Sequence, residues 1–328
     1  GGGAPPALFI WVRPYQSSHF SMPTPVAPRE GVFAALWIPT DSRGRLMKRG
    51  LIAHLAFLRA SGVHGVLALG STGEFIRMDL RQRQEVLATV AEHAGSLQVI
   101  ANITSIRLDE VVALGKFARK LGLPGVALMP PIFFPVSQAD MLEFFLRASA
   151  AVQLPVYLYN FPELTSNRIG LELIVKFAAR ARMAGIKQSG GEFAYHKDLI
   201  ALGREKKFSV FSGADTRLPE VFALGAAGCI GGLVNFAPEY MVAIYNACRA
   251  GRPEACELEA TRMREIGPVV DRMLFPLSVA TGMEARGFEV GVPKTVVSAE
   301  SAKIYRGIVA DFRRMFKTWG LASKPARR

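Results

Sequence analysis

Lys187 sits inside a run of small and apolar residues, MAGIKQSG over residues 183–190, where a strongly hydrated ammonium is out of place. Burial disfavours the charged form of an amine, and the neutral form is the one that attacks a carbonyl to make a Schiff base. A lysine so placed serves either as that nucleophile or as the partner of a buried carboxylate, and residue type alone leaves both open. Tyr159 closes an earlier apolar run, PVYLYNF over residues 155–161. A phenol beside an amine can carry the protons that carbinolamine formation and dehydration require; the plainer reading is a core aromatic whose hydroxyl meets the backbone. Gly70-Ser71-Thr72-Gly73-Glu74 ends a third run and offers two hydroxyls and backbone N–H groups in a glycine-flanked turn. Such a turn suits a carboxylate, though it also suits the capping of a helix. An amine for a ketone, a phenol for protons and a cradle for the adjacent carboxylate together describe a site for a 2-oxo acid.

These residues act together only if the fold brings them to one place. From residue 31, short apolar runs recur every 20 to 33 residues: 31–39, 64–70, 97–103, 125–131, 155–161, 183–190, 208–213 and 228–235. Each is apolar throughout, as a parallel strand buried on both faces must be. The segments between them carry helical periodicity. In one, Val111, Leu114, Ala118 and Leu121 share a face, Asp109 and Glu110 stand at its start, basic residues lie toward its end, and Gly122 stops it.

Eight strand–helix units predict a closed (β/α)8 TIM barrel; a doubly wound sheet would have fewer strands and a glycine fingerprint after the first. The barrel is expected over residues 29–250. Residues 251–328 read as a helical C-terminal extension of two or three helices, broken near Gly282, Gly287 and Pro293. Residues 1–28, with three leading glycines and six prolines, read as an arm without regular structure. Met22 is an alternative start, which would leave residues 1–21 outside the native protein.

In such a barrel function gathers where strands end. Besides Ser71, Thr72, Tyr159 and Lys187, that rule nominates Ser189 in the sixth run, Gly213 and Asp215 after the seventh, and the glycines of the eighth. The five histidines have no ligand spacing, no metal motif appears, and His54, His93 and His196 read as satisfied surface residues on helices or their starts.

The formal net charge of +13 raises nucleic acid as a partner, but the basic residues are interleaved with acids and lack aromatic interleaving. A solvated basic face that steers anionic substrates is the expectation. No run of about 20 apolar residues suggests a membrane span. Cys229, Cys248 and Cys256 show no spacing for a disulfide framework or zinc, and read as buried thiols in a reducing compartment, hence a cytoplasmic protein.

On Gly70–Glu74, Tyr159-Asn160-Phe161-Pro162 and Gly185-Ile186-Lys187-Gln188-Ser189-Gly190, the chain resembles the dihydrodipicolinate synthase and N-acetylneuraminate lyase superfamily of class I, pyruvate-type aldolases. The resemblance covers about residues 29 to 320. It implies Lys187 as the Schiff-base lysine, Tyr159 as proton shuttle, Ser71 and Thr72 as carboxylate binders with Ser71 also in the relay, and Ile230 as a backbone contact to pyruvate. It also implies a homotetramer, and a covalent Schiff base with substrate in place of any cofactor.

Departures from the family pattern bear on the substrate. The synthase's carboxylate-binding arginine falls on Leu164, and its second relay tyrosine, contributed across a subunit interface, falls on Phe133. The sialic acid lyase's Asp-Glu pair and serine become Asp215-Thr216 and Gly232, so part of the grip on sugar hydroxyls is missing. PPIFFP over residues 130–135 and the glycine pair after Lys187 look closer to 2-keto-3-deoxy-sugar-acid and 4-hydroxy-2-oxoglutarate aldolases. The expected activity is a lyase that releases pyruvate from, or condenses it with, a short or fairly apolar aldehyde. Alternatives are a keto-deoxy-acid dehydratase, a dihydrodipicolinate synthase-like enzyme and a non-catalytic 2-oxo-acid-binding relative.

Overall fold

Parallel strands that are apolar on both faces need cover on both, and a barrel wrapped in helices supplies it without leaving a sheet edge. The computed structural model describes residues 29–321; the arm expected over residues 1–28 lies outside them. Strands β1 (Gly31–Ala35), β2 (Gly65–Ala68), β3 (Gln98–Asn102), β4 (Gly125–Leu128), β5 (Val156–Asn160), β6 (Met183–Gln188), β7 (Ser209–Ser212) and β8 (Gly228–Gly231) pair in chain order, and β8 pairs with β1. The barrel is closed, as the eight apolar runs require. Helices α1 (Lys48–Ala60), α2 (Leu80–His93), α3 (Leu108–Lys120), α4 (Gln138–Val152), α5 (Pro162–Thr165), α6 (Leu171–Ala178), α7 (Tyr195–Lys206), α8 (Leu218–Leu224) and α9 (Pro238–Arg249) connect and follow the strands. No described helix is long and apolar enough to cross a membrane.

Alternate strands fill the interior in layers. Phe33, Tyr157 and Phe211, from β1, β5 and β7, meet edge to face with ring centroids 5.3 and 6.2 Å apart. Gly185 is register partner to Tyr157, and a Cβ there would stand 2.9 Å from the tyrosine ring and 2.5 Å from the Ser209 carbonyl oxygen. Side chains two residues apart on a strand share a face. The glycine that accommodates Tyr157 is therefore followed by a lysine on the same inner face, one layer nearer the mouth.

The extension consists of α10 (Pro253–Val270), α11 (Leu277–Ala285) and α12 (Ala299–Thr318). The expected break at Gly282 is not there, because Gly282 lies inside α11. Its reason is proximity: a Cβ at this position would sit 2.6 Å from the Phe236 ring, which also packs on Phe312 and Phe316 of α12. Beyond α11 the chain returns to the barrel mouth. Trp37 Nε1 donates to the Val290 carbonyl at 2.8 Å, and Val292 N–H donates to the Thr40 carbonyl at 2.8 Å.

Two further readings are corrected. Cys248 and Cys256 form a disulfide, because the turn from α9 into α10 folds the chain back and brings Cα atoms eight residues apart to 5.5 Å. The cysteine pattern thus gives no support to a reducing compartment, while Cys229 is a buried free thiol. His54 and His196 are buried rather than on the surface. Burial pulls the His54 imidazole down to about 4, so it is neutral where it meets the Asn235 carbonyl at 3.0 Å.

Gly282→Ala sets a helix-propensity gain of about 1 kcal/mol against overpacking of about 1–3 kcal/mol on a buried ring. Denaturant unfolding is expected to show a net loss of about 1 kcal/mol; a gain would mean that Phe236 yields freely.

Candidate active site

The β5–β6 register pairs Tyr159 directly with Lys187. Both point into the barrel, with 1% and 5% of their surfaces exposed. Lys187 Nζ donates to Tyr159 Oη at 3.1 Å and stands 4.4 Å from the centroid of its ring. Tyr159 Oη lies 2.8 Å from Ser71 Oγ, with either hydroxyl able to donate. Among the described residues Lys187 makes no ion pair, so the reading of a structural lysine bound to a carboxylate finds no carboxylate in contact. What the mouth holds is a continuous line of amine, phenol and hydroxyl.

Ser71 begins the turn after β2. Gly73 N–H donates to the Gly70 carbonyl at 3.1 Å and Glu74 N–H to that of Ser71 at 3.0 Å, whereas the Ser71 and Thr72 N–H groups meet no acceptor among the described residues. Gly73 is where the turn approaches the segment just after β1 too closely for a side chain: a Cβ would stand 2.9 Å from Ile38 and from the Leu36 carbonyl oxygen. Glu74 follows in the left-handed region at φ 55°. Its carboxylate is buried between Lys294 Nζ at 3.2 Å and Arg77 Nε at 3.3 Å, and Lys294 also donates to the Ile38 carbonyl at 2.7 Å. Burial draws the Lys294 ammonium down, and Glu74 opposes that. The returning C-terminal segment therefore clamps the turn that carries Ser71 and Thr72. Sequence reasoning missed Lys294, which stands in a loop with no periodicity and 220 residues from its partner.

Ser189 and Gly213 lie against the lysine stem. A Cβ on Gly213 would stand 2.3 Å from Ser189 Oγ and 3.3 Å from Lys187 Cε, so only glycine leaves room. Asp215 approaches from the β8 side. Its Oδ2 accepts the Leu233 N–H at 2.8 Å, while Oδ1 is buried and meets no hydrogen-bond partner among the described residues. Burial pushes this carboxyl up to about 6, against the Leu233 N–H and the charge of Lys187. Ile230 is buried in β8 as register partner to Phe33, and no hydrogen bond joins it to Lys187, Tyr159 or Ser71. The structure thus joins Lys187, Tyr159 and Ser71 directly, and sets Thr72, Ser189, Gly213 and Asp215 near them. No grouping of His, Cys, Asp and Glu that could hold a metal occurs among the described residues.

The sequence pattern of the dihydrodipicolinate synthetase family matches residues 28–310. The chain belongs to the dihydrodipicolinate synthetase family. A 4-hydroxy-tetrahydrodipicolinate synthase of Methanosphaerula palustris is 32% identical over 294 residues, covering 86% of this chain and 99% of that protein. The E. coli K12 prophage protein YagE, solved in complex with pyruvate, has the same fold, with a TM-score of 0.81 at 24% identity over 89% of this chain and 99% of that one. CdNal of Clostridium difficile, solved with mannosamine, aligns with a TM-score of 0.78 at 18% identity over 86% and 99%. Members of the dihydrodipicolinate synthetase family are carbon–carbon lyases, and this chain is an enzyme of that class. Against the family pattern, Leu164 lies in α5 at the mouth, and Phe133 is 75% exposed with φ 86°, a backbone state that costs a non-glycine residue about 1–3 kcal/mol.

The raised Asp215 carboxyl sets a sign for stability. A neutral Asp215 suits its buried place, so its contribution is fully present below the unfolded value of 3.8 and is lost as pH rises through about 6. Relative to Asp215→Asn, the wild type is expected to lose up to about 3 kcal/mol of unfolding free energy between pH 4 and 7. Denaturant titrations of both proteins across that range check this; a constant difference would show that Asp215 ionises as freely in the fold as out of it.

Proposed function

We propose that the protein is a Schiff-base aldolase that holds pyruvate on Lys187 and joins it to, or releases it from, an aldehyde. The observation that supports this reading best is the line Lys187 Nζ–Tyr159 Oη–Ser71 Oγ, with spacings of 3.1 and 2.8 Å. The neutral amine attacks C2 of the 2-oxo acid, and the oxygen leaves as water after Tyr159 and Ser71 have supplied protons. The C3 proton of the iminium passes to the Tyr159 oxygen, which gave up a proton in the dehydration, and leaves the enamine, whose electron pair forms the new carbon–carbon bond. The iminium nitrogen takes up the electron pair when the C3 proton leaves and returns it when the carbon–carbon bond forms, so this chemistry calls for no further cofactor. The substrate carboxylate belongs at the Ser71-Thr72 turn, where two N–H groups meet no acceptor among the described residues and the Thr72 hydroxyl stands beside the Ser71 hydroxyl that Tyr159 engages. Ser189, Gly213, Asp215 and Ile230 line the rest of the proposed pocket, and the pyruvate held by YagE accords with this arrangement.

The relatives named 4-hydroxy-tetrahydrodipicolinate synthase favour a second reading, in which this chain makes the same product. Leu164 and Phe133 weigh against it, because neither can replace a guanidinium or a phenol. The sialic acid reading is weakened in turn by Thr216 and Gly232. A pyruvate aldolase of the 2-keto-3-deoxy-acid or 4-hydroxy-2-oxoglutarate type fits better, and a dehydratase on the same imine would differ by keeping the carbon chain whole. The exposed Phe133–Phe134 pair, with ring centroids 4.8 Å apart, supports the self-association that the family resemblance implies.

Borohydride reduction with pyruvate, followed by peptide mass spectrometry, tests the reading. A stable adduct on Lys187, absent from Lys187→Ala, is expected, together with pyruvate release from a panel of 2-keto-3-deoxy acids. Failure to trap any adduct would remove the imine from the account, and dehydrated products with the carbon chain intact would make the enzyme a dehydratase.

A further inference from the structure

Resting on the Schiff-base reading, the structure assigns the aldehyde partner to one chemical class: we infer an apolar aldehyde about the size of a single aromatic ring. A cavity of about 210 Å³ opens at the barrel mouth with Ser71 in its wall. Ser71 is one hydrogen bond from Tyr159 and two from Lys187, so an aldehyde seated there lies beside the carbon that the enamine would present. Four parts of the chain supply its apolar walls. Phe75 and Ile76 follow the Ser71 turn, Met129 and Ile132 follow β4, and Phe275-Pro276 come from the segment before α11. Leu164 of α5 is the fourth, and Glu74 and Arg77 join Ser71 as the polar part of the lining.

Three polar residues line this cavity, Ser71, Glu74 and Arg77, and the Arg77 guanidinium, 46% exposed at the rim, meets Glu74 through one nitrogen. Glu74 is held by Lys294 and Arg77, and the Ser71 hydroxyl by Tyr159. A polyhydroxylated aldehyde would lose water from each hydroxyl and find few partners in return, whereas an apolar ring loses nothing by leaving water. A single ring also fits by size, since an apolar cavity of about 150 Å³ lined by similar side chains takes up benzene. Ile76, Leu164 and Phe275 are 63%, 44% and 45% exposed in the chain, and a cluster of large exposed apolar side chains around a concave site marks a place for an apolar ligand. The C-terminal extension thereby enters the specificity of the reaction through Phe275.

In the bond-forming step the enamine C3 attacks the aldehyde carbon. The carbonyl π pair moves to oxygen, which takes the proton of Ser71, and Tyr159 returns one to Ser71. Water then hydrolyses the iminium, freeing the Lys187 amine and a 4-hydroxy-2-oxo acid that carries the ring, and the proton released restores the Tyr159 phenol.

The test is condensation of pyruvate by the full chain with benzaldehyde, glyceraldehyde and succinic semialdehyde in turn, with borohydride trapping of pyruvate in parallel. The expected kcat/KM for benzaldehyde exceeds that for glyceraldehyde at least tenfold. Phe275→Ala, or Ile76→Ser on a separate wall, removes most of that preference, and Leu164→Arg shifts it toward succinic semialdehyde. With the adduct trapped, equal or slower turnover of benzaldehyde, including no condensation with any of the three, overturns the inference. An unchanged preference in both Phe275→Ala and Ile76→Ser overturns it too. Absence of the adduct overturns the Schiff-base reading and this inference with it.

Discussion

The hydrogen bond from Lys187 Nζ to Tyr159 Oη exists because the β5–β6 register sets the two residues side by side on the inner face of the barrel. A strand's side chains alternate, so a slip of one residue would turn the lysine out toward the helices and bring Gln188 to the mouth. What prevents the slip lies below the site. Tyr157 and Phe211 pack at the layer beneath, and Gly185 accepts the Tyr157 ring that any larger residue would strike. A packing constraint in the core thus decides where the amine stands.

The hydroxyl end of the line is held differently. Ser71 and Thr72 sit on a turn that is pressed through Gly73 to the segment just after β1 and tied by Glu74 to Lys294, a residue of the returning C-terminal segment. Removing either partner of a buried pair strands the other charge, so the clamp gives the extension a hold on the site. The same extension contributes Phe275 to the cavity beside Ser71. The extension therefore does more than cover the barrel: the loops between its helices hold the Ser71 turn and shape the cavity beside it.

Much of this was legible in the sequence. Doubly buried parallel strands write themselves as uninterrupted apolar runs, so eight of them with helical intervals named the barrel, and a lone lysine in one run stood out as a candidate amine beside the reading of a structural lysine. The features that escaped depend on contacts distant in sequence. Lys294 and Phe275 lie in loops, where no period announces a partner. Gly282 reads as a helix breaker, yet it is a close approach to Phe236 inside a helix. Cys248 and Cys256 pair across a helical turn-back that spacing alone does not reveal, and His54 looks like a surface residue until the Asn235 carbonyl meets it.

The central claim is that Lys187 turns pyruvate into an enamine with Tyr159 moving the protons, and it can be read without any aldehyde. Proton NMR of pyruvate in D2O follows exchange of the methyl hydrogens, which an enamine catalyses. The account predicts that the methyl signal decays in the presence of the wild-type chain, at least about 100-fold more slowly with Tyr159→Phe, and no faster than in buffer with Lys187→Ala. Exchange that survives the loss of Lys187, or a wild-type rate equal to that of buffer, would contradict it.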